Sequence, residues 1–273
     1  MSVIAISRGS LSAAVKLADG LSKELGAKVI TREQVIVAAE RYGLQETGLL
    51  EKHIMEQHPP GFWERYSDAR KHYLTCFKAA LLDFVLQGPV IYHGNLAHIL
   101  LDDIPFVLRV RVNAPLENRI KVLMDEQRMS REAAAQKVNE MDHSRMRWTQ
   151  FVYDVDTRSP ILFDIVLNLQ RMTIQDGVDL VASEVRKDQF QRNEKSISVV
   201  RDIHLATVAE TYLMHFPDTY GLDLEVRADS STGRVVVSGH IPAGDESAIE
   251  ADIRSALSKA DLVKEVEVKV KTG

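Results

Sequence analysis

The stretch VIAISRGSLSAAVKLADGLSKELG, from Val3 to Gly26, is where this chain would handle a phosphate. An apolar strand enters a short turn and continues as a helix. Such a turn grips phosphate when glycines let successive backbone N–H groups face the oxygens with no Cβ in the way. The helix amino end adds its dipole, and a basic side chain usually completes the site. Here the turn has one glycine, Gly9, and no lysine at the usual place. The groups on offer are Ser7, Arg8, Gly9, Ser10 and Ser12, with Lys16 further along the helix. With Ser10 and Ser12 as donors or caps, the chemistry this set supports is weak anion binding.

Other chemistries find less support. His53 and His58 are five residues apart, as are His93 and His98, instead of the four that pair histidines on a zinc-binding helix face. No acidic partner is fixed for them, so no metal site is expected. Asp102 and Asp103 could assist Mg²⁺, but a helix-end turn accounts for them more simply. No Gly-x-Ser-x-Gly elbow and no second phosphate-loop motif occurs. The single cysteine, Cys76, lies in the apolar run HYLTCFKAALLDFVL and reads as a packed thiol, which excludes a disulfide framework within the chain.

The elements that position these residues follow from periodicity. Val3–Ser7 reads as a strand, and Ser12–Leu25 as a helix with Leu11, Ala14, Ala18, Leu21 and Leu25 on one face. Further strands are expected at Lys28–Ile30, Pro89–His93, Phe106–Val112 and Ile161–Leu169. Helices are expected at Arg32–Arg41, over much of 60–87, and at Pro115–Arg128, Ser130 to about Phe151, and Thr173–Val185. Strands separated by helices predict an α/β fold, a parallel sheet flanked by helices. Ligands bind such sheets at the strands' carboxyl ends. That rim holds Ser7–Ser12, Thr31–Arg32 and His93–Asn95.

The tail differs. From Ser196 onward there are 8 basic and 13 acidic residues, which is the whole net charge of -5, so the first 195 residues are balanced. RKDQFQRNEKS, Arg186–Ser196, reads as a linker or frayed helix end. Beyond it come a helix over Leu205–Phe216, a hairpin of LDLEVRAD and RVVVSGHI turning at Ser230–Gly233, a helix over Asp245–Ala260 and a strand in VKEVEVKVK. This is a small α+β unit of order αββαβ, with a bulge or close packing expected at Gly239. At 45% hydrophobic and 27% charged residues the composition is that of a soluble protein, with no apolar window of the roughly 18 residues needed to span a bilayer. No basic field points to nucleic acid. The apolar run at the amino end is short and lacks a basic flank, so a cytoplasmic location is expected.

Residues 3 to about 185 resemble the cytidylate kinase-like family. The resemblance is carried, in order, by AISRGSLSAAVKLADGLSKELG, ITREQVIVAAERYGL, GFWERY, PVIYHGNLAHIL, VNAPLENRIKVLMDEQRMSREAAAQKVNEMDHSRMRW and LFDIVLNLQRMTIQDGVDLV. Residues 197–273 resemble a BON domain, through element order and the VVVSGHI core. The resemblance implies a P-loop kinase-like domain over 1–190 followed by a BON-like domain over 197–273. It implies that Arg32 meets the acceptor nucleotide and that Arg119, Arg145 and Arg147 are lid arginines holding a triphosphate. It sets Asn168 near the base, and it brings ATP and Mg²⁺ as cofactors if the site is active. Each arginine could equally make a surface or inter-helix ion pair, and Asn168 could simply end a strand.

The chain departs from the family at the loop. Leu11, Ala13 and Ala14 occupy glycine places, Val15 stands where a basic residue belongs, and Lys16 comes one residue late, about 100° around the helix. His93-Gly94-Asn95 replaces a Gly-Arg-Gly, which removes a phosphate clamp. His93 substitutes for it only when protonated, or is an ordinary strand-end residue. The expectation is a degenerate kinase fold acting as a nucleotide or phosphate-ligand sensor or scaffold, with little phosphoryl transfer. The alternatives are an active CMP- or dCMP-type kinase rebuilt around Arg8, Lys16 and the lid arginines, and a structural assembly module. The expected partners are a nucleotide or phosphorylated small molecule, and a protein or second copy bound through the tail. The tail's negative charge argues against anionic membranes.

Overall fold

Five short apolar runs pair as a parallel sheet. The computed structural model describes residues 2–8, 11–44, 67–94, 97–153, 156, 159–241, 244 and 246–272, with the backbone alone for 8, 11, 12, 67–69, 145 and 147–153. The strands are β1 (Val3–Arg8), β2 (Lys28–Thr31), β3 (Val90–Gly94), β4 (Val107–Asn113) and β5 (Ile165–Asn168), in the order β2-β3-β1-β4-β5. All four pairings are parallel. The connections carry α1 (Leu11–Leu25), α2 (Arg32–Ala39), α3 (Ser67–Gln87), the short α4 (Ala97–Leu100), α5 (Leu116–Gln127) and α6 (Arg131–Tyr153). After β5 comes α7 (Ile174–Val185), opened by a capping box between Thr173 and Asp176.

One sheet face is apolar throughout. Ile4, Ile6, Ile91, Leu108, Val110, Val112 and Leu167 pack against Ala14, Leu17, Ala18 and Leu21 of α1 and Val178, Val181 and Val185 of α7. Strand alternation sends Ala5, Ser7, Arg109 and Arg111 to the opposite face. The parallel sheet flanked by helices is therefore as expected. The fifth strand is shorter than Ile161–Leu169, because Pro160–Leu162 forms a 3₁₀ turn first.

By internal contact the chain divides into two compact units. Among the described residues, one takes in those up to Arg32 and those from Gly88 to Arg192. The other takes in Glu33 to Leu44, Ser67 to Gln87 and those from Asn193 on. In the second unit α8 (Glu194–His215) packs against α3. The linker expected over Arg186–Ser196 is corrected in part, since α8 begins eleven residues before Leu205. The Asn193 side chain accepts from Ser196 N at 2.8 Å and Ser196 Oγ answers at Asn193 N at 3.0 Å, closing a capping box inside the polar run.

The rest of the unit is β6 (Asp223–Asp229), β7 (Arg234–Ile241), α9 (Glu246–Leu257) and β8 (Glu265–Thr272), with β6 antiparallel and β8 parallel to β7. The small α+β order is thus as expected. Gly239 is the close approach: a Cβ there would stand 2.3 Å from the Asp223 carbonyl oxygen.

A network ties the start of this unit together. Tyr42, in the 3₁₀ turn Glu40–Tyr42, donates its hydroxyl to Asp83 Oδ2 at 2.8 Å, and His204 Nε2–H donates to Asp83 Oδ1 at 2.9 Å. Arg41 pairs with the same carboxylate. Burial, and then Arg41, hold the His204 imidazole down at about 4, so it is the neutral ring that donates. Cys76 donates to the Tyr42 carbonyl at 3.1 Å, and burial pushes its thiol up to about 12, as suits a packed and unreactive cysteine.

Glu210 of α8 lines a cavity of about 200 Å³ with Lys71, Leu213, Met214, Tyr220 and Leu224. Burial pushes its carboxyl up to about 7, against the opposing pull of Lys71 and Lys78. The folded chain therefore keeps this proton until about pH 7, whereas an unfolded chain releases it near 4.5. A raised carboxyl pKa lowers stability as pH climbs between those values, and the loss is complete above them. Glu210→Gln is expected to flatten that fall and to exceed the parent by about 2 kcal/mol at pH 8. Urea unfolding at pH 5 and pH 8 measures it, and parallel pH profiles for the two proteins would contradict it.

Candidate functional site

The parallel registers bring the carboxyl ends of all five strands to one edge. Ser7 stands opposite Gly94 on one side and Arg111 on the other. His93 pairs in register with Ile6 and Thr31, and Asn113 with Asn168. Of the expected rim, the registers place Ser7, Thr31, His93 and Gly94 along this edge. Gly9 and Ser10 lie outside the described residues, as do Asn95, His53, His58, Trp63 and Tyr66, and the side chains of Arg8 and Ser12 are likewise not described.

What this rim offers a phosphate is set by where α1 starts. β1 ends at Arg8 and α1 begins at Leu11, so two residues separate them. Leu11, Ala13 and Ala14 are all helical, and Ala13 and Ala14 are buried in the core beneath α1. A helix points its amide groups along one axis, so it cannot wrap them around an anion as a glycine loop does. The free N–H groups of the first turn and the dipole remain. Lys16 is exposed on the helix.

Of the three arginines that the resemblance assigns to a lid, one has its side chain described. Arg119 of α5 donates to both oxygens of Asp142 on α6, at 2.7 and 2.6 Å. Its side chain is only 15% exposed, so the bidentate pair uses the guanidinium to close the α5–α6 hairpin. Arg145 and Arg147 follow on α6, their side chains not described. Asn168 ends β5 and accepts from Gln170 N at 3.1 Å, a strand-end turn. His93 is buried at 7% exposure, which sets it away from solvent at the end of β3. Arg32 is the first residue of α2.

The cytidylate kinase-like family matches residues 3–171, more than half of the chain. This chain belongs to the cytidylate kinase-like family. It is similar in fold to an uncharacterized protein from Eubacterium ventriosum, at 14% identity and a TM-score of 0.50, over 67% of this chain and 97% of that one. It is more loosely similar to a shikimate kinase from Bacteroides thetaiotaomicron, at 14% identity and TM-score 0.40 over 68% and 99% of the two chains. A dephospho-CoA kinase from Campylobacter jejuni follows, at 10% identity and TM-score 0.36 over 67% and 96%. No curated protein matches. No helix among the described residues is long and apolar enough to cross a membrane.

Asp102 is engaged by Arg109 at 2.6 Å, and among the described residues no three His, Cys, Asp or Glu side chains gather to hold a metal ion.

Two arginines of β4 were not anticipated: Arg111, opposite Ser7 near the rim, and Arg109, opposite Ala5 nearer the amino end of the strand. Arg111 Nε donates to Asn113 Oδ1 at 2.9 Å, and its guanidinium lies 5.7 Å from the Phe163 ring centroid. Arg109 also holds Asp164, whose oxygens lie 2.9 Å from Nη2 and 3.2 Å from Nε. The signal was available: Arg109 and Arg111 alternate with apolar residues in LRVRVN, which puts both on one face of a strand.

His98 of α4 is 4% exposed, its ring centroid 4.7 Å from that of Phe163 with the rings tilted by 32°, and neither ring nitrogen has a hydrogen-bond partner among the described residues. Burial, then Arg109 and Arg111, press its pKa down to about 4. A buried unsatisfied group is a net cost, and an apolar side chain of similar size relieves it. His98→Leu is therefore expected to equal or exceed the parent in urea unfolding by up to about 1 kcal/mol. A loss of stability would show that the ring has a polar partner.

Proposed function

We propose that this chain is a kinase fold that has given up efficient phosphoryl transfer and works as a sensor or scaffold. The observation that carries the reading is the start of α1 at Leu11, with former loop positions inside the helix and buried beneath it. The capture of Arg119 by Asp142 supports it. Kinase catalysis is almost wholly positioning and charge neutralisation around the phosphates, so losing the loop and its cation removes most of what the fold contributes. The ligand that suits the remaining rim is a nucleotide or phosphorylated small molecule, attracted weakly by the amino end of α1. Residues 197–273, in their BON-like role, would carry contact with a protein partner or a second copy.

The test is thermal shift against ATP with and without Mg²⁺, ADP, CMP, dCMP and inorganic phosphate. A ligand at 100 times its Kd stabilises by about 2.7 kcal/mol, which moves Tm by several degrees. The sensor reading expects a shift with at least one of these. Silence from all of them at millimolar concentration would leave the scaffold reading alone.

A further inference from the structure

We propose that His72, His215 and the carbonyl of Gly43 form a binding site for a divalent transition-metal ion of the zinc or copper type, within the second unit. His72 lies early in α3, His215 is the last residue of α8, and Gly43 follows the 3₁₀ turn. All three belong to the same compact unit. The two Nε2 atoms stand 3.1 Å apart. Two imidazole nitrogens bound to one tetrahedral zinc at about 2.0–2.1 Å would stand about 3.3 Å apart.

Ring orientation favours a shared ion over a head-on hydrogen bond. The ring centroids are 4.4 Å apart at an interplanar angle of 77°, little farther than the nitrogens themselves. The two ring axes therefore converge to one side instead of running nitrogen to nitrogen along a line.

The tautomer is also set. In its neutral form His215 donates Nδ1–H to the Thr211 carbonyl at 2.5 Å, which leaves Nε2 with its lone pair. Metal-binding histidines are oriented in this way by a carbonyl behind the ring. The His215 lone pair faces the Gly43 carbonyl oxygen at 3.3 Å as well as His72 Nε2. A hydrogen bond from His72 would satisfy one contact and leave lone pair against lone pair at the other. A metal ion at neutral pH, where the rings are uncharged, satisfies both; a second proton on the His215 ring would do so only when the ring is charged.

Gly43 is required for this approach. Its φ is +86°, and a Cβ would stand 1.9 Å from His215 Nε2. Among the described residues no third His, Cys, Asp or Glu joins the pair, so two nitrogens and one backbone oxygen make up the protein's share, with water completing the shell. Such a set binds Cu²⁺ most tightly, with Zn²⁺ and Ni²⁺ weaker and Mg²⁺ and Ca²⁺ excluded by their preference for oxygen.

The test uses the full untagged chain, stripped with EDTA and titrated with each metal alone. One Cu²⁺ or Zn²⁺ per chain is expected, with a Tm rise of several degrees, and Cu²⁺ should show nitrogen hyperfine structure from two imidazoles in its electron paramagnetic resonance spectrum. His72→Gln and His215→Gln should each weaken binding at least about tenfold, and Gly43→Ala should do the same by displacing the His215 ring. His72→Gln, on a partly exposed position, carries the test if the other variants fold poorly, with circular dichroism in EDTA as the check. No saturable binding up to about 1 mM, or unchanged affinity in His72→Gln, would overturn the site.

Discussion

Given ATP, Mg²⁺ and CMP or dCMP, the purified chain is expected to form ADP at least about 10³-fold more slowly than the 1–100 s⁻¹ of working kinases. Two losses drive this. The backbone donors that would cradle the transferring phosphoryl group now belong to the first turn of α1, and Val15 replaces the loop cation. A single donor to developing charge contributes about 10²–10³ in rate, and a single arginine contact can contribute 10³ or more. Their effects do not simply multiply, but either loss alone is enough to reach the expected deficit. Two of the described cations are placed elsewhere: Arg119 is committed to Asp142, and Lys16 is exposed on the helix. Any residual signal should be the same in an Arg145→Ala, Arg147→Ala double variant. Turnover of tens per second that collapses in that variant would sink the proposal and establish a rebuilt active site.

Asp83→Ala is expected to remove about 3 kcal/mol of stability, the largest loss from one polar side chain here. Its carboxylate is 14% exposed and accepts from Tyr42 and His204 while pairing with Arg41. Truncation leaves a hydroxyl, an imidazole N–H and a guanidinium facing a gap, and the His204 side chain at 12% exposure has little water to turn to. Asp83→Asn keeps one acceptor oxygen and should lose roughly half as much. Urea unfolding with both variants separates loss of an acceptor from loss of volume. Equal and small losses would mean that solvent satisfies the network.

Periodicity revealed much of this molecule before the structure did. The three- and four-residue spacing of Ala14, Ala18 and Leu21 placed α1 on the sheet, and all three are buried there. The alternation of strands and helices gave the parallel sheet. Local pattern failed where a partner far along the chain decides the outcome. RKDQFQRNEKS is polar, but the Asn193 box starts a helix inside it because α8 continues into a long face against α3. The match of Arg119 to a lid arginine was visible in ENRI, but its capture by Asp142 depends on how two helices fold back on each other. His72 and His215 are separated by 143 positions, so no spacing rule pairs them. The start of α1 was legible as well, since the structure begins it at Leu11, one residue before the Ser12 that periodicity gives.

The second unit joins segments before Gly88 to those from Asn193 on, and this constrains how the protein can be made. As the chain leaves the ribosome, α3 emerges more than 100 residues before α8, the helix that covers it. Until then the face of α3 that packs against α8 waits for its partner. Closing so long a loop is slow, and exposed apolar helices invite aggregation or chaperone capture in the interval. A fragment ending near Arg192 would hold nearly everything that resembles a kinase, yet it would strand α3 without its partner and should be recovered as aggregate.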